Sequence, residues 1–166
     1  MSKLAKDEDD LAKLADDCLL ESDPQTKGEL LERFFESVLS REGHFEIVNK
    51  HVRTETGELD YVLRHSLTDP FWCRSQHVVV ECKNWKRPIG PEQLDHFLEL
   101  VEKSGPLCNV GVYVTTSRLT KAARTTIRDK RLVVGIIAVI VEKDCVRKLA
   151  LGLRGLIPRL YEKQTY

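Results

Sequence analysis

The stretch His77–Trp85 places the strongest constraint on how this chain folds. It reads His-Val-Val-Val-Glu-Cys-Lys-Asn-Trp, so three consecutive valines run directly into a carboxylate and an ammonium group. Valine runs are typical of buried strands, whose successive side chains alternate between the two faces of a sheet. Glu81 and Lys83 therefore share one face, with Cα atoms about 6.6 Å apart. Because charge at the end of a buried strand is costly without a partner, the pair is either a buried ion pair or part of a reaction site.

The composition is that of a globular protein with one sizeable core. The chain has 166 residues, of which 42% are hydrophobic and 31% charged, a common balance for a soluble domain. Its longest apolar run, Leu132–Val141, is too short to cross a bilayer and predicts a central strand. The acidic N-terminus has no apolar segment of the secretory type. Five singly spaced cysteines favour reduced thiols, so we expect a cytoplasmic protein that does not contact membranes.

The charge distribution is asymmetric although the net charge is zero. Residues 1–60 contain 8 Lys+Arg and 16 Asp+Glu, whereas residues 61–166 contain 18 and 10. The basic part would suit a polyanion such as nucleic acid, but the two parts would equally neutralise each other in the fold.

Hydrophobic periodicity and turn residues predict alternating helices and strands. A helix over residues 3–20 is followed by a second that begins with a capping box, Thr26 as N-cap and Glu29 at the third position, and extends to about Arg41. The remaining elements are predicted as strands 44–52, 58–65 and 77–85, helix 91–103, strand 110–115, a basic helix that begins after Ser117 or Thr120 and extends to Lys130, strand 132–141 and helix 142–153. Short links join the first three strands and helices separate the others. The fold is therefore α/β, with a mixed five-stranded sheet flanked by helices.

Asp60 lies within the second predicted strand, where aspartate is uncommon. If that strand pairs antiparallel with the third, Asp60, Glu81 and Lys83 converge on one patch. Two carboxylates from neighbouring strands suit a hard cation such as Mg²⁺, which also takes oxygens from water and phosphate. A lysine beside the ion is suited to holding an attacking water or to neutralising charge in the transition state of phosphoryl transfer.

Asp60 followed by Glu81-x-Lys83 after a valine run, in this order of elements, resembles the PD-(D/E)xK nuclease superfamily and in particular its Mrr-type restriction endonuclease domains. The upstream segment Gly28–Phe35 matches the "LE-x-F" helix of those domains, and the resemblance covers about residues 26–142. Leu59 stands where a proline often precedes the aspartate. The resemblance implies a restriction-endonuclease-like αβββαβ core, here with an extra N-terminal helix.

The resemblance also implies roles for individual residues. Asp60, Glu81 and the backbone carbonyl of Cys82 would bind Mg²⁺, for which Mn²⁺ can substitute. Lys83 would be the catalytic lysine, and Glu32 the helix acid that supports the metal site. The helix after the lysine strand carries a polar residue in this family, here Glu92 or Gln93. The residues expected to contact substrate are Gln93, Trp85, Lys86 and Arg87.

We therefore expect a Mg²⁺-dependent endonuclease that hydrolyses phosphodiester bonds in DNA, in restriction and defence or in DNA repair. One alternative is a non-catalytic nucleic-acid-binding or assembly module in which Glu81 and Lys83 form a structural ion pair. Another is a nuclease that acts on branched DNA or RNA. The structural ion pair explains neither Asp60 nor the valine run that leads to the pair.

The predicted organisation has three parts: an acidic N-terminal appendage at 1–25, the nuclease domain at 26–153 and a C-terminal tail at 154–166. The first helix suits a mobile appendage, a docking helix or a dimer contact. Mrr-type domains often accompany a separate recognition or sensing domain, so the expected partners are DNA, a second copy of the chain and such a domain. Among the histidines, His44 and His96 are the candidates for a place near the site.

Overall fold

The computed structural model describes residues 3–68, 72–151, 155 and 157. This part of the chain contains five helices and five strands. They are α1 Lys3–Leu20, α2 Pro24–Glu42, β1 Phe45–Thr54, β2 Gly57–His65, β3 His77–Lys83, α3 Pro91–Lys103, β4 Val110–Thr115, α4 Lys121–Val134, β5 Ile137–Val141 and α5 Lys143–Ala150. A short 3₁₀ turn, Trp72–Arg74, precedes β3.

The strands form one five-stranded sheet in the order β1-β2-β3-β4-β5. β1, β2 and β3 pair antiparallel, whereas β3, β4 and β5 pair parallel. This confirms the predicted mixed sheet, because a short hairpin joins antiparallel neighbours and a helix must carry the chain back between parallel ones.

The sheet separates two hydrophobic clusters, and β3 contributes to both. Val78 and Val80 pack on the side of α1, α2 and α5, with residues such as Phe34 of α2. Val79 packs on the other side with α3 and α4, where Phe97 is buried. Both faces of the valine run are therefore covered, as its lack of alternation predicts.

The start of α2 differs from the predicted capping box. Asp23 is the N-cap, and its carboxylate accepts a hydrogen bond from the Thr26 N–H at 2.8 Å. Pro24 occupies the first helical turn, where N–H groups have no intrahelical acceptor, so the helix does not need the N–H that proline lacks. The prediction of Thr26 as N-cap is wrong because Asp23-Pro24 begins the helix earlier. The C-terminus follows the prediction, with Gly43 in the left-handed conformation.

The apolar run Leu132–Val141 divides between two elements. Residues 132–134 belong to α4, Gly135 breaks the helix with φ +71°, and only Ile137–Val141 form β5. The predicted strand 132–141 is thus wrong in its first half. β5 is parallel but lies at the edge of the sheet rather than at its centre. It reads as apolar on both faces because Val139 packs in one cluster and Ile140 in the other.

The other boundaries lie near their predicted places. α3 and β4 have the predicted ends, β3 stops at Lys83 rather than Trp85, and α5 stops at Ala150 rather than 153. Of the predicted tail, only residues 155 and 157 lie in the described part, and Gly155 N–H donates to both carboxylate oxygens of Glu42 at 3.0 and 2.8 Å. The division at residues 25 and 153 stays a prediction. None of the described helices is long and apolar enough to cross a membrane.

Candidate active site

The predicted site residues gather where β2 and β3 diverge. The paired residues of the two strands run from Arg64 opposite His77 to Tyr61 opposite Val80. At the next position the Asp60 side chain supplies the hydrogen-bond acceptor. Its Oδ2 accepts a hydrogen bond from the Cys82 N–H at 2.6 Å. Asp60 thus replaces a backbone acceptor and keeps its carboxylate beside the end of β3.

The backbone of β2 changes its alternation at Asp60. Leu59 packs in the cluster of α3, whereas Tyr61 packs in the cluster of α2. Two residues this far apart in a regular strand would share a face. The chain therefore rotates about Asp60, and this rotation allows the carboxylate to face β3 within the sheet.

Glu81 and Lys83 form an ion pair at the carboxyl end of β3, between Glu81 Oε1 and Lys83 Nζ. The Glu81 side chain is only 5% exposed, and its second oxygen, Oε2, is buried without a hydrogen-bond partner among the described residues. Burial raises the pKa of the Glu81 carboxyl to about 7, against the opposing charge of Lys83. Burial acts to lower the pKa of Lys83, but the Glu81 carboxylate outweighs it and raises that pKa above its usual value.

Two further acids share the electrostatic environment of this pair. Burial raises the pKa of Asp60, and the hydrogen bond from Cys82 opposes that rise. Glu32 extends from α2 and is half-buried, and burial followed by the charge of Asp60 raises its pKa. The structure thus brings Glu32, Asp60, Glu81 and Lys83 together, from one helix and two strands.

His51 also belongs to this cluster, although the sequence did not suggest it. Its imidazole lies 3.7 Å from Glu32 and 3.5 Å from Glu58, and it has a positive φ of +50°, which is rare for a residue with a side chain. The hairpin register pairs Thr54 with Gly57 and Val52 with Leu59, so His51 falls opposite Asp60. Counting residues back from the two-residue turn between β1 and β2 would have placed His51 opposite Asp60. His96 instead lies against Gly57 in the β1–β2 hairpin.

The donor groups at this site fit a divalent cation that takes few protein ligands. Within the described part of the chain, no group of three or more His, Cys, Asp or Glu side chains is placed to hold a metal ion. Mg²⁺ needs only one or two carboxylates, since it keeps waters and binds substrate phosphates. Asp60 and Glu81 are two such carboxylates, and the buried Oε2 of Glu81 has no donor among the residues that the structure describes.

The predicted substrate contacts lie around the loop that follows β3. Trp85 is half-buried and Arg87 stacks over its ring, with 5.1 Å between the guanidinium carbon and the ring centroid. Lys86 is exposed. Gln93 uses its amide oxygen to accept from the Gly90 N–H at 3.0 Å, which caps α3. The structure gives Gln93 a local role, and its contact with substrate stays a prediction.

The sheet order and the site define a restriction-endonuclease-like protein. In this site Asp60 and Glu81 lie where β2 and β3 diverge, and Lys83 follows Glu81 by two residues. Residues 24–141 match the model of the restriction endonuclease family Mrr_cat, and the chain belongs to that family. No curated protein matches the chain.

Three solved structures resemble this fold. The DNA modification-dependent restriction endonuclease AspBHI aligns over 99% of the chain with a TM-score of 0.54 and 14% identity. MspJI restriction endonuclease in complex with a 27-mer oligonucleotide aligns over 99% with a TM-score of 0.47 and 16% identity. EndoMS in a double-stranded DNA complex aligns over 69% with a TM-score of 0.43 and 24% identity. The chain spans 42%, 36% and 42% of those three chains, respectively.

Proposed function

We propose that this protein is a divalent-metal-dependent endonuclease that hydrolyses phosphodiester bonds in DNA. The observation that carries the proposal is the buried Oε2 of Glu81, which has no hydrogen-bond partner among the described residues and lies in a carboxylate cluster at the end of a central strand. Buried acceptors are normally satisfied, so an orphaned carboxylate oxygen calls for a cation. Membership of the restriction endonuclease family supports the reaction class.

Asp60 and Glu81 are the proposed ligands of Mg²⁺, and Mn²⁺ is expected to substitute. The Cys82 carbonyl is the third candidate, because the N–H and C=O of one strand residue point to the same side and the Cys82 N–H already faces Asp60. Glu32 supports this set from α2. When bound, the ion polarises the phosphate and lowers the pKa of a coordinated water.

Lys83 is the proposed catalytic lysine. Its raised pKa keeps it protonated near neutral pH, so it acts as a hydrogen-bond donor to a phosphate oxygen or to the attacking water. The oxygen of that water bonds to phosphorus and one P–O ester bond breaks, with a proton passing to the leaving oxygen.

The same surface gives the proposed contacts with the substrate. Trp85, Lys86 and Arg87 are proposed to contact the DNA beside the site, with Gln93 at the start of the next helix. We propose DNA, a second copy of the chain and a separate recognition or sensing domain or protein as partners. A cytoplasmic role in defence or in DNA repair fits the five unpaired cysteines.

The test compares two lysines that each pair with a glutamate. Purified protein with Mg²⁺ or Mn²⁺ should nick or cut supercoiled plasmid DNA, and chelation should stop it. Lys83→Ala should lower the rate by at least about a hundredfold, as expected for loss of a group that stabilises the transition state. Lys103→Ala, which breaks the exposed Glu99–Lys103 pair, should leave the rate unchanged. Cleavage that survives Lys83→Ala and Asp60→Ala would reject this site.

A non-catalytic DNA-binding module is the second candidate. The Glu81–Lys83 ion pair and the Asp60–Cys82 hydrogen bond favour it, because both would serve as structural contacts without a metal. This candidate predicts salt-dependent DNA binding, no heat of Mg²⁺ binding in calorimetry and no cleavage of linear, supercoiled or junction DNA or of RNA. Mg²⁺ binding that is lost in Asp60→Asn would contradict it.

A further inference from the structure

A second cationic feature lies beyond the carboxyl ends of β3, β4 and β5. A cavity of about 390 Å³ opens there between the loops after β3 and β4, the first turns of α2 and α5, and the end of α1. Because the three strands are parallel, their ends meet at one edge of the sheet. In sheets with parallel strands, ligands commonly bind in the crevice outside this edge.

Cations line this cavity. The side chains concerned are Lys27, Lys86, Arg118, Lys143 and Arg147, and the described lining includes no carboxylate. Arg118 pairs with Asp144 at 3.5 Å. In the described part of the chain, the other four have no carboxylate within ion-pair distance, so none of these four positive charges is directly paired.

Lys27 shows that this arrangement is unfavourable in the free protein. The residue is only 6% exposed, and its ammonium contacts the Glu21 carbonyl at 3.4 Å. Burial lowers the pKa of Lys27, and the charges of Lys86 and Lys143 lower it further. The Glu21 carboxylate acts in the opposite direction but does not cancel this effect. A buried cation among cations is stabilised by a bound anion.

Partly buried hydrogen bonds hold the cavity in shape. Asn84, in the loop after β3, donates to the Lys27 carbonyl at 2.6 Å and to the Cys18 carbonyl at 3.1 Å. Its amide oxygen accepts from the Thr116 hydroxyl. This one side chain therefore links the end of α1, the start of α2 and the loops after β3 and β4. The walls are set before any ligand arrives.

The cavity adjoins the candidate active site along the chain. Lys86 follows Lys83 by three residues, which limits the separation of their Cα atoms to roughly 10 Å. A DNA strand bound at Lys83 would thus pass the cavity within a few nucleotides, given a rise of about 3.4 Å per nucleotide.

We propose that this basic cavity binds a phosphate group of DNA other than the one that is cleaved. The inference deepens the proposed nuclease function and rests on it for the identity of the substrate. The ligand is either an internal phosphodiester or a terminal 5′-phosphate, and the two share the chemistry that the cavity recognises. Its cations are expected to hold the strand in place while the chemistry takes place at Lys83.

The experiment compares charge removal inside and outside the cavity. DNA binding is measured by fluorescence anisotropy in EDTA for the wild type, for Lys143→Gln with Arg147→Gln, and for Lys148→Gln. Lys148 is a matched control, because it is an exposed cation on the same helix and does not line the cavity. The double variant should bind about tenfold more weakly at low salt. The slope of log K against log salt should fall by about 1, the amount expected when one phosphate contact is lost.

The choice of DNA identifies the source of the phosphate. Loss of affinity on a covalently closed circle indicates an internal phosphodiester. Loss that appears only with 5′-phosphorylated linear duplex, and not with its 5′-hydroxyl counterpart, indicates a terminal phosphate. The proposal is overturned if the double variant and the wild type have equal slopes of log K against log salt on the closed circle and on both linear duplexes. It is also overturned if Lys148→Gln loses as much DNA affinity as the double variant.

Failure of this inference is distinguishable from failure of the nuclease proposal. Binding is measured without metal, so the cavity can be confirmed in a protein that does not cut DNA. Conversely, a wild type that cleaves while the cavity variants bind DNA normally would reject only the cavity. Thermal unfolding of the DNA-free variants serves as the folding control, and they should be at least as stable as the wild type because charge repulsion is relieved.

Discussion

At the scale of single residues, Glu81 shows a conflict between stability and function. Its carboxylate directly follows three buried valines of β3, and one of its oxygens lacks a partner among the described residues. An ionised carboxylate in such a place is destabilising unless cations balance it, and Lys83 pairs with only one of its two oxygens. If Glu81 binds a metal ion as proposed, this is the cost of holding the ligand in a buried, rigid position.

The Glu81 carboxyl predicts how stability depends on pH. Its folded pKa of about 7 lies above the ordinary value, so the folded chain keeps a proton that the unfolded chain loses near pH 4.5. The free energy of unfolding in EDTA should therefore fall as pH rises from about 4.5 to 7, and stay reduced above that. Glu81→Gln removes this fall and should stabilise the protein by roughly 1 to 3 kcal/mol at pH 8, measured by urea unfolding.

Glu99→Gln is the control for this prediction, since Glu99 pairs with Lys103 on the surface. Subtracting the pH profile of the unfolding free energy of Glu81→Gln from that of the wild type isolates the contribution of Glu81. Asp60 and Glu32 contribute to both profiles, and their raised pKa values act in the same direction. A Glu81→Gln variant that is less stable than the wild type at pH 8 in EDTA would contradict the assigned pKa.

At the scale of elements, the packing of α3 against β4 positions the parallel half of the sheet. Gly111 in β4 leaves no room for a side chain, because an added Cβ would lie 2.5 Å from both Phe97 and Val101 of α3. Gly28 in α2 differs, since an added Cβ there would meet nothing within 4 Å.

These two glycines give opposite predictions for one substitution. Gly111→Ala should destabilise the protein by about 1 to 3 kcal/mol or more, because the methyl group forces α3 away from the sheet. Gly28→Ala should stabilise it by about 0.5 to 1 kcal/mol, because alanine loses less backbone entropy in a helix. Equilibrium urea unfolding measures both. Equal effects of the two substitutions would show that the α3–β4 contact is not close.

At the scale of the whole molecule, α1 contributes to the core that carries the site. Leu11, Ala15 and Cys18 are buried in the same cluster as α2 and β3. Asn84 also ties the Cys18 carbonyl to the loop after β3. We expect this helix to stabilise the nuclease fold, whatever further contacts its acidic face makes.

Two leucines of α1 test this expectation. Leu11 is 3% exposed and Leu20 is 81% exposed. Leu11→Ala should lower the free energy of unfolding by about 2 to 4 kcal/mol, the usual cost of emptying a core leucine position, whereas Leu20→Ala should have little effect. Tryptophan fluorescence is the measurement, because Trp72 lies in the same cluster. If Leu11→Ala leaves the unfolding transition at Trp72 unchanged, α1 is an independent appendage.

Most of the fold was predictable because local patterns agreed with it. The valine run, the helix that begins at Pro91 and the short links among the first three strands each have one physical interpretation, and each was confirmed. The errors came where two local signals competed. Thr26 and Glu29 fit the capping-box pattern next to the stronger Asp23-Pro24 start, and the apolar residues on both sides of Gly135 masked the helix end at that glycine.

The sequence by itself determined the chemistry present in this protein: two strand acids, a lysine two residues beyond the second, and a helix acid upstream, in an order shared with one nuclease family. Only the tertiary structure decided which groups are neighbours. The rotation of β2 at Asp60, the place of His51 opposite it and the convergence of Lys27, Lys86, Lys143 and Arg147 depend on backbone register and on contacts between distant segments. Charges that are remote in sequence interact strongly only when the fold removes the water between them.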